Sequence, residues 1–327
     1  MSLLEPRANY KPFAHEWAFK AFEDQSKMHW IPTEISLKDD KDQWDHTLTR
    51  AEKDLLTQLF RFFTQADVDI AGGYIDNFLP IFKQPEVRMM LSTFAAMEAI
   101  HIQAYSYLLD TVGMPEVEYS AFMDYEAMKA KHTYLEEIKV DSHANIAKAL
   151  AIYSGFGEGL QLFSSFAILL NFTRFNKMKG MGEIVTYSIK DESLHIESMI
   201  KLFHAFVEEN PKLWNSTLKK EIYQACRDMV ELEDKFIDLA FALGEPEGLT
   251  AAEVKVYIRY IADRRLLQLG LKPEYKQKKN PLMWIDWIVN GVEHTNFFEG
   301  RSTSYAKQGH TGSWEEVWNE IDNKNKL

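Results

Sequence analysis

From Leu48 onward, apolar residues return every three or four positions along almost the whole chain, while alternating runs bounded by turn residues are hard to find. That spacing predicts an all-α protein. Thr49-x-x-Glu52 has the form of a capping box and opens a first long helix expected to reach Phe78, with Gly72 and Gly73 as a weak point before Pro80. Pro85 starts a second helix that Gly113 should end. A third long segment is expected from about Ala144 to Lys179 with Gly180 as its stop, and a fourth from about Glu183 to Glu209, ahead of Pro211. Further helices are expected over Leu218 to Leu243, Ala251 to Gln268 and Pro281 to His294. Four long central helices are enough to build a bundle. After Phe298 the periodicity is lost, and Arg301 to Leu327 reads as a mobile extension.

Composition narrows the picture. With 327 residues, 46% of them hydrophobic, the chain can bury one large core, and no Gly/Ser- or Pro-rich linker or internal repeat divides it. A single domain over 1–300 and a tail over 301–327 are expected. A net charge of -12 without any Lys/Arg-rich run argues against nucleic acid as a direct ligand. The single cysteine, Cys226, cannot form an intrachain disulfide and belongs to no redox motif. Met1 to Phe22 lacks a basic stretch followed by an apolar core, and the most apolar run, Leu160 to Leu170, is broken by serines and Gln161. A cytoplasmic protein with no membrane partner is the expectation.

The candidate chemistry lies on the four long helices. The second carries Glu98-Ala99-Ile100-His101 and the fourth Glu192-Ser193-Leu194-His195, each a Glu-x-x-His pair. Helical positions three apart differ by about 60° in direction and about 4.5 Å in height, so both side chains of a pair can reach one metal ion. Asp67 on the first helix and Glu158 on the third sit among apolar and small neighbours, where an uncompensated charge is costly. One Glu-x-x-His in a helical protein is most often a surface pair or a satisfied core histidine; two copies, each preceded by a helix with a lone carboxylate, match the ligand plan of ferritin-like dinuclear proteins. Four carboxylates and two imidazoles suit iron or manganese, whereas structural zinc favours thiolates. Tyr105 follows His101 by four residues and Glu98 by seven, on nearly the same helix face. Position alone fits both a tyrosine beside the metals and an amphipathic core filler.

Glu98-x-x-His101-x-x-x-Tyr105 together with Asp191-Glu192-x-x-His195 resembles the signature of the class I ribonucleotide reductase small subunit, with the similar region covering about Trp30 to Phe298. The resemblance implies a ferritin-like bundle in which Asp67, Glu98 and His101 bind mainly one metal and Glu158, Glu192 and His195 the other, with Glu98 and Glu192 bridging. It implies two iron ions, with two manganese ions or a mixed manganese and iron pair as alternatives. Tyr105 would be oxidised to a neutral radical. Trp30, in His29-Trp30-Ile31-Pro32-Thr33-Glu34, would relay the oxidising equivalent, and Asp191 would link it to His101. A large catalytic subunit, reducing ribonucleotides with its own cysteines, and a homodimeric state are likewise implied. The pattern departs from the family in the tail, where no tyrosine follows Tyr305 and Trp314 and Trp318 stand instead. Leu162 and Ser188 also occupy places where bulkier apolar packing around the radical is expected.

Two rival functions use the same ligand plan. A ferritin-like ligand-binding oxidase or monooxygenase commonly has a glutamate as first ligand and lacks the tyrosine, so Asp67 and Tyr105 disfavour it. A metal-storage bundle would need no partner subunit.

Overall fold

In the computed structural model, residues 2–287 are described, and among them every regular element is helical. Tyr305, Trp314 and Trp318, with the second half of the helix expected over Pro281 to His294, lie outside the described residues. In chain order the helices are α1 (Glu16–Lys27), α2 (Lys38–His46), α3 (Arg50–Gly72), α4 (Pro85–Val112), the short α5 (Val117–Ser120), α6 (Glu126–Glu136), α7 (His143–Ile152), α8 (Phe163–Arg174), α9 (Lys179–Glu209), α10 (Ser216–Ala240) and α11 (Ala251–Gln268). α3 packs along α4, α1 lies across α4, and α7 and α8 lean on α9, so four long segments enclose the centre of the bundle. A contiguous apolar core fills it, with Phe60, Phe63, Phe78, Phe94, Phe156 and Phe203 all buried.

Local chemistry explains several helix ends. Thr49 and Glu52 form the reciprocal capping box that their spacing predicts, and a second box, Thr250 with Glu253, opens α11. Pro85 begins α4 and Gly113 ends it. α3 does run on to Phe78, but from Gly73 the turns widen into a π-helix, Gly73–Phe78.

The third long segment differs from expectation. It begins as α7, widens into a π-helix over Tyr153–Gln161, and ends with α8 at Arg174, five residues before the expected boundary at Lys179. Gly180 does not stop it. The reversal is made by Asn176 and Met178, both at positive φ, and Gly180 lies inside α9, with its N–H and that of Met181 donating to the Asp40 carboxylate at 2.9 and 2.8 Å. A side chain from α2 therefore does at the start of α9 what a local cap does elsewhere. The two widened turns pack against each other. A Cβ at Gly73 would stand 2.2 Å from the Tyr153 ring, so this approach requires glycine.

Candidate metal centre

Asp67 comes from α3, Glu98 and His101 from α4, Glu158 from the widened turn between α7 and α8, and Glu192 and His195 from α9. None is more than 1% exposed. They form two overlapping groups: Asp67, Glu98, His101 and Glu192 in one, and Glu98, Glu158, Glu192 and His195 in the other, each with ligand atoms within 4.8 Å of one another. Glu98 and Glu192 belong to both.

The imidazoles are fixed from behind. His101 Nδ1 faces Glu98 at 3.2 Å and Glu192 at 3.4 Å, while Nε2 lies 3.0 Å from Asp191 Oδ2, which holds a proton there and leaves Nδ1 free to bind. His195 mirrors this arrangement. Its Nδ1 is 2.9 Å from Glu98 Oε1, and its Nε2 is 3.2 Å from the Gln25 side-chain oxygen. Gln25 Nε2 in turn donates to Asp191 Oδ1 at 2.8 Å, and Trp30 Nε1 donates to Asp191 Oδ2 at 2.9 Å. Asp191 thus accepts from Gln25, Trp30 and His101 together. Trp30 also stacks on the His101 ring, centroids 6.1 Å apart.

Whether this donor set suits a pair of cations can be judged from its hydrogen bonds and charges. Asp67 Oδ2, Glu98 Oε1, Glu158 Oε2, both Glu192 oxygens and His195 Nδ1 are buried without an aligned hydrogen bond. The 2.9 Å approach of His195 to Glu98 is misdirected for one. Buried polar atoms are seldom left this way in such numbers unless something else binds them. Burial pushes Asp67 up to about 8 against the pull of His101, and likewise raises Glu158 and Glu192. Burial would raise Glu98 too, but His101 and His195 hold it down at about 2. The same burial would lower both imidazoles, yet the carboxylates raise His101 well above its usual value and His195 to about 10. Protons shared among six dry groups stand in for positive charge, and two divalent ions would balance four carboxylates without them. The residues fit a dinuclear metal centre.

Tyr105 is 2% exposed, stacks on Phe63 with centroids 4.5 Å apart, and its hydroxyl has no aligned partner. Burial, then the charge of Asp67, pushes its ionisation above the ordinary phenol range. Ser188, expected as an unusual packing residue, is buried with its hydroxyl beside that of Tyr105, where it opposes the rise although no aligned hydrogen bond joins the two. Leu162 is buried in the core.

Residues 7–281 match the family described as ribonucleotide reductase, small chain. The chain belongs to the ribonucleotide reductase small-subunit family. It is 43% identical to a probable ribonucleoside-diphosphate reductase small subunit of Invertebrate iridescent virus 6, over 98% of this chain and 99% of that protein. It is 31% identical to the ribonucleoside-diphosphate reductase subunit beta of Chlamydia pneumoniae, over 93% of this chain and 91% of that one. Among solved structures, the ribonucleotide reductase R2 subunit of Clostridium botulinum superposes with a TM-score of 0.80 at 26% identity, covering 86% of this chain and 91% of that one. This ribonucleotide reductase small subunit therefore has the helical fold of its relatives, and its buried carboxylate and histidine cluster occupies the middle of that fold.

Two residues of the site escape the sequence reading. Gln25 lies on α1, ahead of the region where helical periodicity is strong, although Ala18, Ala21 and Gln25 share its buried face and mark a glutamine in a core position. Tyr74, whose hydroxyl donates to Glu158 Oε1, follows Asp67 by seven residues. That is the spacing that singles out Tyr105 after Glu98, and it is the signal that would have found Tyr74.

Proposed function

We propose that Asp67, Glu98, His101 and Glu192 hold one metal ion, that Glu98, Glu158, Glu192 and His195 hold the second, and that Glu98 and Glu192 bridge them. The sharing of these two glutamates between both four-residue groups carries the reading. Iron is the proposed metal, with manganese as the alternative, because carboxylate and imidazole donors accommodate both. When bound, the pair supplies a one-electron oxidising equivalent after reaction with an oxygen species.

Tyr105 would store that equivalent as a neutral radical, its electron passing to the oxidised pair and its phenolic proton to a base of the centre, Asp67 being the carboxylate whose charge acts on it most strongly. The burial of Tyr105 and the Phe63 ring lying on it keep water away. Trp30, Asp191 and His101 form a continuous hydrogen-bonded path between the centre and the segment that precedes α2, and we assign them the relay. Asp191 holds His101 in one tautomer and accepts from Trp30. A ribonucleotide reductase small subunit works with a large subunit, and in our reading residues 1–300 form one unit whose tail, 301–327, docks there. A homodimer in the cytoplasm completes the proposal. Val68 and Ile75, two turns apart and exposed on the outer face of α3 and its π-helical extension, are apolar surface that a second copy would cover.

Electron paramagnetic resonance on the activated, metal-quantified protein tests the assignment. A tyrosyl signal abolished by Tyr105→Phe is the expected result. A mixed-valent manganese signal that survives the substitution would move the oxidant onto the metals. Full retention of both ions in Glu98→Ala or His195→Ala would overturn the ligand set.

A further inference from the structure

A second concentration of buried charge lies behind the metal centre. Lys131 of α6 and Glu233 of α10 are each 0% exposed and form an ion pair, Ser164 donates to Glu233, and Lys131 Nζ lies 3.7 and 4.3 Å from the ring centroids of Phe62 and Phe236. Arg265 of α11 is 5% exposed, hydrogen-bonded to a carbonyl and to Gln268 rather than to a carboxylate. Neither cation touches the candidate ligands. Both end on the same short stretch of backbone: Arg265 Nε donates to the Gly159 carbonyl at 2.8 Å, and Lys131 Nζ donates to the Gln161 carbonyl at 3.0 Å. Gln161 Nε2 returns a bond to the Lys131 carbonyl at 3.2 Å.

This stretch closes the π-helical turn Tyr153–Gln161 and follows Glu158 directly. A widened turn shifts the carbonyls out of the regular helical ladder, and a buried carbonyl without a donor is costly. A regular α-helix would satisfy them with its own N–H groups and need no cation. Buried charge is moreover a poor way to gain stability, because apolar side chains of similar volume usually do as well. The fit at Gly159 is close: a Cβ there would meet the Ser154 carbonyl at 2.5 Å and Arg265 Nε at 2.9 Å.

We propose that Lys131 and Arg265 are positioning residues of the metal centre, which hold the carbonyls of Gln161 and Gly159 and so fix the turn that places Glu158. The inference rests on the reading of Glu158 as a ligand of the second ion. It predicts an asymmetric effect, since only one of the two ion positions depends on that turn.

The test is a manganese(II) titration of the metal-free full chain, followed by electron paramagnetic resonance, with circular dichroism reporting the fold. Arg265→Met and the double variant Lys131→Met with Glu233→Gln are compared with Asp67→Ala and Glu158→Ala. Because Arg265 leaves no carboxylate behind, Arg265→Met gives the readout even should the double variant fail to fold. The expected result is binding of one ion weakened by about 10- to 100-fold with the other held as in the parent protein, a pattern that reproduces Glu158→Ala and not Asp67→Ala. Parent-like affinity for both ions, or equal weakening of both, in a folded variant overturns the inference. Two ions bound normally by Glu158→Ala would instead overturn the ligand reading itself, whatever the other variants do.

Discussion

The hydroxyl of Tyr74 donates a hydrogen bond to Glu158 Oε1, while Glu158 Oε2 is buried without a partner. One oxygen of this carboxylate is therefore occupied by the protein and the other is left for a ligand. Tyr74 and Tyr105 stand in matching positions, each seven residues after a carboxylate of the cluster, but only Tyr74 is hydrogen-bonded to one. The two phenols do different work: Tyr74 restrains a carboxylate, while the Tyr105 hydroxyl lies beside Ser188 and bonds to no carboxylate of the cluster.

Tyr74→Phe should remove that restraint and leave Oε1 a buried acceptor with no donor. The metal-free variant is expected to lose about 1–3 kcal/mol of stability, the usual cost of an orphaned buried polar group. Metal addition should recover more of this loss than it adds to the parent protein, because both oxygens of Glu158 are then open to the ion. Thermal denaturation with and without manganese(II) measures both quantities, and an unchanged metal-free melting temperature would show that the bond restrains nothing.

Gln25 joins the two imidazole supports, accepting from His195 and donating to Asp191. Gln25→Leu should leave His195 free to turn or change tautomer, weakening metal binding by roughly 10- to 100-fold. Gln25→Glu should be worse still, since it sets a carboxylate against Asp191 in a site where both side chains are buried. Calorimetric titration of the two variants gives the order, and Glu binding metal better than Leu would contradict the geometry.

The carboxylate and histidine cluster was legible in the sequence because helical spacing alone puts Glu98 with His101, and Glu192 with His195, on common faces. The long helices followed from the same periodicity and from Thr49, Pro85 and Gly113. What was not legible depends on partners distant in the chain. Gly180 reads as a stop by its type, but Asp40, 140 residues earlier, caps its N–H and lets a helix begin there. The π-helical turn around Glu158 has no periodic signature of its own, and the donors that reach two of its carbonyls, Arg265 to Gly159 and Lys131 to Gln161, come from other helices. Gln25 was hidden because its helix is short and mostly polar outside the buried face.

The Asp40 contact gives a test of that long-range cap. Asp40→Ala should cost about 1–2 kcal/mol, the range for losing an N-terminal capping side chain. Urea denaturation would measure it, and Asp40→Asn, which keeps one acceptor oxygen, should fall between the variant and the parent. Equal stability of all three would mean that the first turn of α9 finds other partners.

The pH dependence of the metal-free protein follows from the shared protons. Asp67, raised to about 8 in the folded chain, holds a proton there that the unfolded chain has released, so its contribution is full below its ordinary value of 3.8 and disappears as pH rises through 8. Glu158, Glu192 and His101 shift in the same direction, as does His195, raised to about 10. Glu98 alone among the six opposes them: held at about 2, it contributes above its ordinary 4.5 and loses that contribution only in strong acid. The urea midpoint of the metal-free protein is therefore expected to fall steadily from mildly acidic to mildly alkaline solution. Bound divalent ions replace the protons, so saturating metal should flatten or reverse the slope, and metal uptake near neutrality should release protons. Titration in buffers of differing ionisation enthalpy would count them. A metal-free protein that grows more stable across the same range would show that the six groups do not share protons in the folded chain.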